Sequence, residues 1–160
     1  MKPWKDALRD ALVSGTAASL ASTAALAVCG EAETDRPLAP TNAISHWFWG
    51  DRAARQNRFS WRHTVLGYLT HHGASIFWAL GYEKLFGARR RHQSPAGALA
   101  DAAAVAAVAC FVDYRLTPHR LQPGFEQRLS RRSLFAVYAS FGAGFALGGA
   151  LLTLWRGDPP

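Results

Sequence analysis

Cysteine is scarce in this chain: Cys29 and Cys110 are its only two, so a disulfide framework is excluded and a single bridge is the most it can form. The compact signatures of metal and haem sites are missing as well, with no HExxH, CxxC, CxxCH or paired ExxH spacing. No segment alternates polar and apolar residues at the strand period, which argues against a barrel. No credible nucleophile and base arrangement stands out, so the chain leans away from an enzyme. A clean secretory leader is also lacking, because Asp6 and Asp10 interrupt the basic start and Val28 before Cys29 is a poor cleavage position. Acidic residues are few, 11 against 18 Lys and Arg, and the resulting pI near 10.1 ordinarily raises nucleic acid as a partner.

The placement of the charge decides otherwise. Nearly uncharged stretches alternate with short basic ones, the pattern of a chain whose apolar parts lie in lipid and whose arginines meet head groups. In 160 residues this predicts one all-α domain, a bundle of four transmembrane helices over 8–29, 63–86, 95–112 and 133–155, with two longer loops on one side. The first run holds about 19 uncharged residues after Asp10, and the last, "SLFAVYASFGAGFALGGALLTLW", has no charge at all. The third, rich in alanine, carries Asp101, so it inserts only alongside neighbours. A mean hydropathy of −0.05 keeps a soluble helical domain open as the alternative, although the fourth run lacks the polar face that this would need.

An even number of spans puts both termini and the 84–94 loop on one side, and the 30–62 and 113–132 loops on the other. Arg89, Arg90 and Arg91 in the short loop, with Arg128, Arg131 and Arg132 before the last span, are candidates for anionic-lipid contact. In the first long loop "SHWFWGD" supplies Trp47, Phe48 and Trp49 to the interfacial aromatic belt. Within the last span "GAGFALGG" is no dinucleotide loop, since its glycines do not make GxGxxG and no strand precedes them. Read at helical spacing, Ala136, Ser140, Gly144 and Gly148 form a small-residue stripe, and Ala98, Ala102, Ala106 and Cys110 form another, which suggests close packing between the third and fourth spans.

The potential ligands cluster on the long-loop side. His71 sits with Thr64, Tyr68, Ser75, Trp78 and Tyr82 on a polar and aromatic stripe that should face the interior, while His72 points about 100° away. With His46, Cys110, Asp113 and His119 these histidines are the candidate ligand or metal residues. Two accounts stay open: histidines hydrogen-bonded to neighbouring helices, or a site for a metal ion, haem or relayed proton. No cofactor is predicted outright. A disulfide between Cys29 and Cys110, and an anion bound between the 113–132 loop and Arg52, Arg55, Arg58 and Arg62, are further alternatives.

The segments "PTNAISHWFWGD", "GYLTHHGASIFWALGYEKLFG" and "DYRLTPHRLQPGFEQRLSRRSLFAVYASFG" resemble an uncharacterised family of small four-helix proteobacterial inner-membrane proteins. The resemblance implies a bacterial multipass protein of the cytoplasmic membrane and carries no known activity. The expected role is a non-catalytic structural or accessory one, with membrane lipids, a second copy or another membrane protein as partners and no nucleic acid. A metal- or haem-binding, or proton- or solute-translocating, protein is the alternative.

Overall fold

The computed structural model describes residues 1–157, apart from the Arg91 side chain. Among these residues every regular element is helical. The long helices are α1 (Trp4–Thr34), α4 (Leu66–Phe86), α5 (Pro95–Phe111) and α6 (Arg131–Trp155); α2 (Ala39–Ile44) and α3 (His46–Trp49) are short. Local sequence sets the boundaries. Ser94 and Ser130 accept hydrogen bonds from Gly97 N and Ser133 N at the starts of α5 and α6, satisfying backbone donors that have no partner inside the helix. α1 ends where Asp35 turns left-handed at φ 52°. A π-helical turn, Trp61–Val65, leads into α4, and another, Val112–Leu116, prolongs α5.

Three helical segments, α1, Pro95–Leu116 and α6, are long and apolar enough to cross a membrane. α4 has the length, 21 residues, but not the hydropathy, because it carries His71, His72, Glu83 and Lys84. Both termini and the α4–α5 connection lie at one end: Lys2 N donates to Lys84 O at 3.2 Å, and Arg156 pairs with Asp10. The 35–60 and 117–130 segments meet at the other end, where Arg128 donates to Ala54 O at 2.9 Å.

α1 is the central helix, with small residues on two faces. Ser14 and Ala18 lie against Gly148 and Gly144 of α6, and Gly15 lies against Ile76 of α4. A methyl group at Gly144 would stand 2.8 Å from Ala17 O and Ala18 N, so glycine is what allows the two backbones to approach. The α6 stripe therefore packs on α1, and α5 meets α6 through Ala102 and Ala106 beside Gly142 instead. Helix α5 touches α4 only sparsely. Tyr82, Val105, Phe141 and Phe145 fill the middle of the bundle; Leu26, Ile44, Phe125, Leu129 and Val137 fill its loop end.

The first long loop is no loose connection. All six residues of α2 are buried, and Asn42 inside it donates to Gln56 O and Arg58 O and accepts from Thr64 Oγ1 at 2.6 Å. In the second loop Phe125, which opens a short 3₁₀ turn, Phe125–Gln127, and Leu129 just after it are buried in the core. Gly124 makes this possible: at φ 93° it passes so close under α2 that a methyl group would meet Ala43 O and His46 Cδ2 at 2.6 Å. Together the loops form a packed cap over one end of the bundle.

Candidate functional site

Beneath that cap lies a cavity of about 640 Å³, bounded by α4, the end of α5 and α6. Trp47, Trp78, Phe125 and Phe141 are among the residues that make its walls mainly aromatic and apolar. Leu69, Phe77 and Phe48 on its lining are exposed, so the cavity reaches the outer face of the protein.

Its polar groups are few and mostly committed. Thr70, Ser75 and Thr117 donate their hydroxyls to carbonyls one helical turn back, those of Leu66, His71 and Val112. Ser22 Oγ lies 2.7 Å from Ala18 O and 2.7 Å from His71 Nε2. With the single hydroxyl hydrogen on Ala18 O, Nε2 of His71 is the donor to Ser22 and Nδ1 is left as an acceptor; with the hydroxyl hydrogen on Nε2 the roles reverse. The first polarity is opposite to an activated serine, whose hydrogen must point at the histidine. Tyr138 donates to Asp113 Oδ2 at 2.6 Å, and no residue among those described donates to Oδ1. The site thus offers acceptors to whatever occupies it.

The candidate ligands do not converge. His71 and Asp113 share the cavity. His46, which is buried, hydrogen-bonds Gln122 O at 2.8 Å, as does Trp47 Nε1, so it locks one loop to the other. His119 meets His46 edge-on at 6.3 Å and is exposed. His72 stacks on Tyr68, its Nδ1 buried without a hydrogen bond. Cys110 lies near enough to Asp113 to interact electrostatically, and both it and Cys29 are free thiols. Among the described residues no group of three His, Cys, Asp or Glu side chains is close enough to hold a metal ion.

No family model matches the chain, and no curated protein or solved structure is significantly similar to it.

The basic residues divide in the same way. Arg90 is mostly buried and pairs with Glu83 at 2.5 Å, and Arg89 pairs with Asp101, so two of the expected lipid contacts are taken up by carboxylates. Arg128 is likewise turned inward, toward Ala54 O and Asn57 Oδ1. Arg131 and Arg132 are exposed at the start of α6, and the Arg91 side chain lies outside the described residues. Charge pattern alone missed a buried ion cluster at the termini end. There Lys2 bridges Asp10 (2.5 Å) and Glu83 (2.9 Å), and Arg156 also reaches Asp10, with both carboxylates wholly buried. The one available signal was Asp10 and Glu83 sitting at the ends of apolar runs.

Proposed function

We propose that this chain is a four-span protein of the bacterial cytoplasmic membrane that acts without catalysis, as an accessory component holding an amphiphilic ligand within the bundle. The cavity beneath the cap, bordered by α4, the turn after α5 and α6, carries this reading: it combines aromatic walls, an outward-reaching rim and two polar side chains, His71 and Asp113. A fourth span is supported by the geometry of α4. Its 21 residues rise about 31 Å, and Ser75 and Glu83 are buried inside the bundle while His71 is bonded to Ser22. Its low hydropathy thus comes from residues that need not meet lipid.

The test is native mass spectrometry of the full-length protein released from lipid nanodiscs made with membrane extract. Wild type should carry an amphiphile that survives delipidation, and Ala74→Trp, which fills the cavity, should not. Equal occupancy of the two, or none in wild type, would refute the assignment. Four spans predict that 50–58 and 119–122 are labelled from one side of the membrane, and both termini and residues 88–93 from the other. Termini labelled from opposite sides would exclude that topology.

A further inference from the structure

We infer that the cavity selects a cationic amphiphile, a hydrophobic amine or quaternary ammonium compound, with its positive group beside Asp113. This rests on the cavity being a ligand site, as proposed above. Charge around Asp113 is the deciding observation. From α5 and the turn after it the neighbours are Cys110 and Tyr114, from α6 Tyr138, and from the cap Glu126, a second carboxylate that acts on both Asp113 and Tyr114. Both oxygens of Glu126 are buried without a hydrogen-bond partner, as is the Tyr114 hydroxyl. Among the described residues no lysine, arginine or histidine pairs with either carboxylate, whereas Asp10, Glu83 and Asp101 all have cationic partners. A carboxylate ionised in a low-dielectric interior is costly without a counter-ion, so a bound cation is the partner that would stabilise the charged form of Asp113.

The surroundings suit an organic cation better than a metal ion. Asp113 is the one carboxylate among the residues lining the cavity, Tyr138 already donates to one of its oxygens, and the wall beside it is a chain of rings: Phe125 and Tyr138 at 6.2 Å, then Tyr138 and Phe141 at 6.5 Å. Aromatic faces beside a carboxylate attract an alkylammonium group through the ring quadrupole, while the apolar remainder of the cavity takes its hydrocarbon part. His71 borders the same space, its Nε2 already engaged with Ser22 Oγ at 2.7 Å.

The experiment is equilibrium dialysis of the full-length protein in phosphatidylcholine nanodiscs against three labelled probes of equal chain length: dodecyltrimethylammonium, dodecanol and dodecyl sulfate. Binding to empty nanodiscs is subtracted. Wild type should bind the cation saturably and at least tenfold more tightly than the alcohol, with the sulfate weakest. Asp113→Asn keeps an acceptor for Tyr138; it should weaken cation binding tenfold or more and leave the alcohol within about twofold. Should that variant melt early, Glu126→Gln, outside the cavity wall, should still weaken cation binding several-fold. Equal affinities for cation and alcohol, preference for the sulfate, or cation binding indifferent to both substitutions would overturn the cationic assignment while leaving the cavity a ligand site. If no probe saturates and Ala74→Trp changes nothing, the cavity reading fails together with it.

Discussion

The close backbone approach of α6 to α1 can be tested with one methyl group. Replacing Gly144 by alanine puts a Cβ against Ala18 Cα and 2.8 Å from Ala17 O and Ala18 N, all of them backbone atoms of α1 that no rotamer change can move. Restoring ordinary contact at about 3.5 Å or more requires α1 and α6 to part by about 1 Å or more. The loss is not confined to residue 144. One turn on, Gly148 packs on Ser14, so the same separation opens a second contact, and gaps of this size forfeit a quarter to a half of the dispersion energy of the atoms involved. We expect destabilisation at or above the upper end of the 1–3 kcal/mol typical of overpacking. Gly81→Ala is the matched control: nothing lies within 4 Å of its added methyl, so it should be neutral or stabilise by about 0.5–1 kcal/mol through helix propensity. Thermal unfolding of detergent-solubilised protein, followed by circular dichroism, separates the two. A Gly144→Ala variant that melts with or above wild type would refute the account of how α1 and α6 meet.

Three further outcomes follow from the polar contacts. Glu83→Ala removes the carboxylate that pairs with the mostly buried Arg90 and leaves Lys2 with Asp10 alone, and it should cost about 3–5 kcal/mol in the same melt, the usual penalty for breaking a buried pair from one side. His46→Ala removes one of the two bonds that hold Gln122 O, so hydrogen exchange across 119–127 should accelerate while exchange in α6 stays at the wild-type rate. Arg131→Gln with Arg132→Gln should reduce retention of anionic lipid, whereas Arg128→Gln should leave retention unchanged and lower the melting temperature, since that side chain ties the two loops together.

Long helices were readable because apolar runs of that length have few other solutions, and the 133–155 run matches α6 to within two residues at its start. The stripe through Gly144 and Gly148 was visible at helical spacing, but its partner was not. α1 contributes Ser14 and Ala18, small residues without a glycine-rich pattern, while the alanines of α5 made that helix look the better neighbour. The segment 39–44 has the proline, threonine and asparagine of a loop, and its burial depends on Asn42 finding two carbonyls and a hydroxyl that only the folded chain brings together. Sharing an end of the bundle placed His46 and His71 on one side, yet it said nothing of their distance from the bundle axis. One reaches the cavity and the other fastens the cap.

The ion cluster also orders events in time. Asp10 and Arg156 are 146 residues apart, so a ribosome making this chain delivers the carboxylate long before the guanidinium that pairs with it. Until α6 arrives, Asp10 has only its N-terminal neighbours Lys2 and Arg9 as cationic partners among the described residues. The contact therefore closes only when α6 packs on α1, and a chain cut short within α6 would lose it, leaving Asp10 with Lys2 and Arg9 beside it.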